Sequence, residues 1–156
     1  MKPAPFTYRR PGTLDEALAA LAEEPGAKVL AGGQSLVPLL SMRLAAPETL
    51  VDINGLPDLD HVRSDADGVR VGALARHAAV LADDEAARVQ PLLRMALSHV
   101  AHATIRNRGT TVGSIVHADA SGEMPMILRL TGGTLTVADI IAQSARMGWM
   151  PSYPTF

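Results

Sequence analysis

Two glycines in the stretch Ala31-Gly32-Gly33-Gln34-Ser35-Leu36-Val37-Pro38 constrain this chain more than any other feature. Glycine enters positive φ without penalty and lets a ligand or other backbone come close to the main chain. Val29 and Leu30 precede the pair and a helix-compatible run, Leu36 to Met42, follows it. The order predicts a strand, a tight turn and a helix N-terminus, where consecutive amides can face an anion such as phosphate. The stretch is neither G-x-G-x-x-G nor G-x-x-x-x-G-K-[ST], and neither pattern occurs elsewhere, so a dinucleotide fingerprint or a Walker loop has no local support. Gly33-Gln34-Ser35-Leu36-Val37 also lacks the second glycine of G-x-S-x-G, which argues against a nucleophile elbow. A double-glycine turn standing alone is most often only a turn. Chemistry requires a second element.

The flanking sequence supplies an α/β frame. Phe6 and Tyr8 alternate with polar neighbours, which predicts a short strand or arm laying two rings on a core. Thr13 with Glu16 makes a capping box, and Leu14, Ala17, Leu18 and Leu21 follow at helical spacing until Pro25-Gly26. Lys28 to Ala31 reads as a buried strand, and Thr49 to Ile53 as another, closed by Asn54-Gly55. A right-handed crossover would make these two strands parallel. His61 to Ser64 and Val69 to Val71 flank Asp65-Ala66-Asp67-Gly68, a hairpin signal. The change from α/β to antiparallel character puts a subdomain boundary near residue 57. Further on, helices are expected over His77 to Leu81, from Pro91 to about His102, and over Met124 to Leu130, with a strand at Thr134 to Val137.

Composition removes several kinds of chemistry. The chain has 156 residues, enough for one ordinary domain or two small subdomains, and 47% apolar residues, enough for a core. It has no cysteine, which excludes disulfides, thiolate catalysis and Cys-ligated zinc or iron–sulfur sites within it, so redox chemistry would need a bound organic cofactor. A formal charge of −2 and 3% aromatic content give nucleic acid little to bind. No apolar run approaches a membrane span, and Met1 to Arg10, broken by Pro3 and Pro5, lacks the apolar region of a signal peptide. The cytoplasm is the expected compartment.

The second informative element is Arg106-Asn107-Arg108-Gly109-Thr110-Thr111-Val112-Gly113-Ser114-Ile115-Val116-His117-Ala118-Asp119, followed by Glu123 and Pro125. With Ala31 to Pro38 it resembles the FAD-binding medium subunit of the molybdenum hydroxylases, the carbon monoxide dehydrogenase and xanthine dehydrogenase group. The resemblance implies an α+β, vanillyl-alcohol-oxidase-like (PCMH-type) flavin fold: a small α/β subdomain at residues 1–56 and an incomplete antiparallel-sheet subdomain at 57–137. It implies that Ala31, Gly32, Gly33, Gln34, Ser35 and Leu36 offer backbone donors to the FAD diphosphate. Thr110, Thr111, Gly113 and Ser114 would close on it from the other side, and His117, Asp119 and Glu123 would lie near the ribityl chain, ribose or flavin edge. Hydroxyls of Ser35, Thr110, Thr111 and Ser114 can donate to phosphate oxygens. FAD would be held noncovalently, since Gln34 stands where some members of the wider fold use histidine. The implied partners are a molybdenum-cofactor large subunit and a 2Fe-2S small subunit, and the implied role is an electron relay to an external acceptor. Such a relay needs no catalytic triad, because the isoalloxazine carries the chemistry.

The resemblance fades after about Val137, and residues 138–156, with Trp149, Tyr153 and Phe156, read as a divergent tail on an apparently truncated member. Two other functions are therefore entertained. One is a noncatalytic fragment that keeps only a partner-docking surface. The other is a metal-dependent hydrolase built on His99, His102, His117 and Asp119, whose spacing does not match H-E-x-x-H. Met124 and Met126 read as core filling, Asp52 and Asn54 as turn residues, and Arg106 and Arg108 as phosphate or partner ligands or solvated surface.

Overall fold

The computed structural model describes residues 2–137, so the tail at 138–156 lies outside the described residues. The first part runs β1 (Thr7–Arg9), α1 (Leu14–Glu23), β2 (Lys28–Leu30), α2 (Leu36–Ser41) and β3 (Thr49–Asp52). Helix α1 starts where its sequence directs: Thr13 Oγ1 accepts from the Glu16 amide at 3.2 Å, and Glu16 Oε2 accepts from the Thr13 amide at 3.3 Å. The strands form a parallel sheet in the order β1-β3-β2, with Thr7 opposite Thr49 and Lys28 opposite Leu50. Strand β3 is buried throughout because it is flanked on both sides, and Ala17 and Ala20 of α1 pack with Val51 and Leu56 into a first core.

Position in the sheet corrects two expectations. Strand β2 is an edge strand with Lys28 and Val29 exposed, not the buried strand its apolar run suggests. The rings of Phe6 and Tyr8 are also exposed rather than laid on a core. An apolar run reports the chance of burial, whereas strand order decides which run receives a neighbour on each side.

The second part opens with the expected hairpin, β4 (Val62–Asp65) and β5 (Gly68–Val71), paired antiparallel with Asp65 opposite Gly68. Helices follow: α3 (His77–Ala82), α4 (Asp84–Val89), α5 (Pro91–His99), α6 (Ala103–Arg106), α7 (Thr111–His117) and α8 (Glu123–Leu130). Among the described residues, this part is therefore mainly helical rather than built on an extensive antiparallel sheet. Thr134 to Val137 forms no strand and joins neither described sheet. Helix α5 stops at His99, short of the expected His102, and Ala101 then takes a positive φ of 41°. Helix α4, unforeseen, is capped by Asp83, whose carboxylate accepts from the Ala86 amide at 2.8 Å.

A second core joins Ala75, Val80, Leu97, Val100, Met124 and Ile127, with Val62 and Val71 of the hairpin packed against it. Met124 belongs to it, whereas Met126 is 55% exposed and fills no core. Among the described residues, no helix is long and apolar enough to cross a membrane.

Leu97 is fully buried and Leu130 is 66% exposed. Leu97→Ala is expected to cost about 2–5 kcal/mol in a denaturant titration, and Leu130→Ala less than about 0.5 kcal/mol. Equal shifts in the two midpoints would contradict the placement of the second core.

Candidate functional site

The two glycine-bearing turns, distant in sequence, touch. A Cβ built on Gly32 would strike the Arg108 carbonyl oxygen and lie 2.8 Å from Gly109 Cα and 3.0 Å from Thr110 N. Backbone packs directly on backbone there, which no residue with a side chain permits. Gly33 has φ +73°, in the left-handed region, and its carbonyl accepts from the Val37 amide at 2.9 Å to start α2. Among the described residues, the amides of Gly32, Gly33, Gln34, Ser35 and Leu36 donate to no protein acceptor. Those of Thr110 and Val112 are likewise without one. Unpaired amides on adjoining turns are the donors an anion needs.

The sequence-predicted residues fall into distinct settings. Gln34 turns its side chain back to the Gly32 carbonyl at 3.3 Å, and Ser35 is exposed at the start of α2. Ala31 is half-buried, its carbonyl taken by Asn54 Nδ2 at 2.8 Å. Thr110 caps α7, its hydroxyl oxygen accepting from the Gly113 amide at 3.1 Å, and Ser114 is half-buried one turn into the helix. Thr111 is 3% exposed and its hydroxyl lies 3.1 Å from His77 Nδ1, so it is engaged inside the protein rather than turned outward as a donor. His117 closes α7, roughly 9 Å along the axis from Thr111 at 1.5 Å per residue. Asp119 is exposed and bonded to the Ser121 amide at 2.9 Å and hydroxyl at 2.7 Å, which hold its carboxyl below the usual range. Glu123 begins α8, half-buried and within electrostatic reach of His77.

Side chains outside that set join the turns. Tyr8 donates to Asp52 Oδ2, and Asp52 Oδ1 accepts from the Asn54 amide at 2.9 Å and from Asn54 Nδ2 at 2.6 Å. Arg76 Nη2 donates to Asn54 Oδ1 at 2.7 Å, and Nη1 donates to the Arg108 carbonyl. Burial alone would raise the Asp52 pKa, but the bonds from Tyr8 and Asn54, with Arg10 nearby, outweigh it and hold the carboxyl below its ordinary value. The bond to Asp52 raises the Tyr8 phenol. Asp52, Asn54 and Arg76 border a crevice of about 310 Å³ that also meets Ala31, Gly32, Arg10, Asn107 and Arg108. Asp52 and Asn54 make the expected turn but also reach beyond it, and Arg76 carried no signal at all, since it is an isolated arginine before a helix. Arg106 instead binds the carbonyls of Val100 and Ala101, both at 2.9 Å, and so closes the end of α5. Among the described residues, no three histidine or acidic side chains gather where they could hold a metal.

Two consequences can be measured. Gly32→Ala must part the turns and is expected to destabilise the protein by about 1–3 kcal/mol, whereas Gly26→Ala, with open space around its Cβ, should change stability by under about 1 kcal/mol. The second concerns His77, whose burial pushes its pKa below the ordinary 6.5. The unfolded chain then takes up this proton first as pH falls. Stability from this group is complete above about pH 6.5 and declines below it at up to about 1.4 kcal/mol per pH unit until the folded value is passed. Thermal melts from pH 7.5 to 5 should show a shallower acid slope for His77→Asn; an unchanged slope would contradict the neutral, buried ring.

Comparison with known proteins places this geometry in a family. The family described as "FAD binding domain in molybdopterin dehydrogenase" matches residues 4–147. The nicotine 6-hydroxylase medium subunit of Paenarthrobacter nicotinovorans is 36% identical over 140 residues, covering 90% of this chain and 50% of that subunit. The carbon monoxide dehydrogenase medium chain of Afipia carboxidovorans is 35% identical over 133 residues, covering 85% of this chain and 46% of its own. Among solved structures, quinoline 2-oxidoreductase from Pseudomonas putida 86 superposes with a TM-score of 0.78 at 44% identity, over 82% of this chain and 45% of that one. The chain thus spans about half the length of the curated relatives it matches. With mixed helix and sheet, two facing glycine turns and these relatives, it belongs to the FAD-binding domain family of the molybdopterin dehydrogenases.

Proposed function

We propose that this chain binds FAD noncovalently and serves as the flavin-bearing electron-transfer subunit of a molybdenum hydroxylase. The observation that carries the reading is the run of unpaired amides from Gly32 to Leu36, set against the Thr110 turn by the Gly32 contact. An FAD diphosphate needs close approach and several N–H donors, and both are present. In this reading Ala31 to Leu36 line one side of the diphosphate, with Thr110, Gly113 and Ser114 on the other and Thr111 bracing the turn through His77. His117, Asp119 and Glu123 lie farther along the cofactor. Gln34 and the absence of cysteine support noncovalent attachment.

When bound, FAD would take electrons from iron–sulfur clusters and pass them to an external acceptor such as NAD, a quinone or oxygen. The protein's own residues would bind and orient it. A molybdenum-cofactor large subunit and a 2Fe-2S small subunit are the partners this role calls for, in the cytoplasm. The fold belongs with the vanillyl-alcohol-oxidase-like, PCMH-type flavoproteins in this reading. Its subdomains are residues 1–56 and 57–137, supported by the two separate apolar cores.

The test is a visible spectrum of the purified chain after incubation with FAD and desalting. Retained flavin bands are expected. Gly33→Val should abolish them while leaving far-ultraviolet circular dichroism unchanged, because a β-branched residue resists φ +73° and crowds the turn. A colourless protein that still co-purifies with large and small subunits would favour a docking role instead, and zinc without flavin would favour a hydrolase. Unchanged flavin binding by Gly33→Val would remove the phosphate-turn assignment.

A further inference from the structure

The Gly32 contact brings the turns together but does not fix how they slide, because van der Waals packing is not directional. Direction comes from Asn54 and Arg76. Asn54 Nδ2 spends its hydrogens on the Ala31 carbonyl at 2.8 Å and Asp52 Oδ1 at 2.6 Å, while its Oδ1 receives Arg76 at 2.7 Å. Both N–H groups and the oxygen of the amide are engaged, and flipping it would set a carbonyl against a carbonyl. Arg76 then reaches the other turn through the Arg108 carbonyl. Its own main chain is held there too: it pairs with Thr110 in a short antiparallel bridge, with His77 N donating to Gly109 O at 3.0 Å and Thr111 N to Ala75 O at 3.1 Å. At the far end Tyr8 holds Asp52, tying the clasp to β1.

We propose that Tyr8, Asp52, Asn54 and Arg76 form a polar clasp that sets the spacing of the two amide-bearing turns, making Asn54 and Arg76 positioning residues for the cofactor. The clasp grips carbonyls, at Ala31 and Arg108, and among the described residues leaves the amides of Gly32 to Leu36, Thr110 and Val112 without protein acceptors. It therefore orders a diphosphate cradle without occupying its donors. A bidentate guanidinium suits this work because it bridges two acceptors at a fixed angle, which an ammonium does not. The inference rests on the flavin reading above.

The experiment is equilibrium FAD titration of the full 156-residue chain, well below its melting temperature, with hydrogen exchange on the flavin-free protein alongside. Arg76→Ala should weaken FAD binding about tenfold or more, with added sub-denaturing guanidinium restoring part of the affinity and Arg76→Lys failing to restore it. Asn54→Asp, which keeps the Arg76 pairing but turns a carboxylate on the Ala31 carbonyl, should weaken binding similarly. In flavin-free Arg76→Ala, exchange should quicken in the segments around both residue 53 and residue 109. Wild-type affinity in Arg76→Ala, or loss that guanidinium does not relieve and Arg76→Lys does, would overturn the clasp and leave the flavin reading intact. A wild-type chain that binds no FAD would overturn the flavin reading and the positioning role with it, and the exchange data would still show whether the four side chains join the turns.

Discussion

Backbone-to-backbone contact between Gly32 and the Arg108–Thr110 turn is the constraint on which the site depends. A side chain at residue 32 would separate the segments, so the residue is set by what it lacks. Among the described residues, the N–H donors from Gly32 to Leu36 and at Thr110 and Val112 are without protein acceptors. In a protein interior unsatisfied donors are costly, and at a half-buried surface they are tolerated where an anion or water can complete them.

Around that contact the turns are joined by polar side chains. Each core is assembled from its own part of the chain: Ala17, Ala20, Val51 and Leu56 in the first, and Leu97, Val100, Met124 and Ile127 among the second. Asp52, Asn54 and Arg76 join residues of the two parts through bonds that are directional. Apolar packing would hold the parts together with less control of orientation. A hydrogen-bonded junction specifies one arrangement, because each partner left unpaired costs its desolvation. His77 belongs to the same design: buried, with its ring against the Thr111 hydroxyl, it backs the turn that Thr110 caps.

Much of the local structure was legible from residues alone. The capping box at Thr13 and Glu16, the hairpin around Asp65 to Gly68, and Pro91 opening a helix all rest on bonds between residues close in sequence. Edge and interior were not legible. Lys28 to Leu30 and Thr49 to Asp52 are both short apolar-rich runs, yet only the latter is enclosed, because β1 pairs on its far side. The helix at Thr111 to His117 was also hidden, since a polar, glycine-bearing run resembles a loop until Thr110 is seen capping it.

The sequence by itself determined that two glycine-bearing segments exist, where their flanking strand and helices start, and which family carries both. Those are properties of short windows and of their order along the chain. Only the tertiary structure decided that the segments meet, that Thr111 faces inward to His77, and that Asn54 and Arg76 bridge the turns. Such pairings join residues far apart in the chain, and their energy depends on distance and direction in space, which no local pattern encodes.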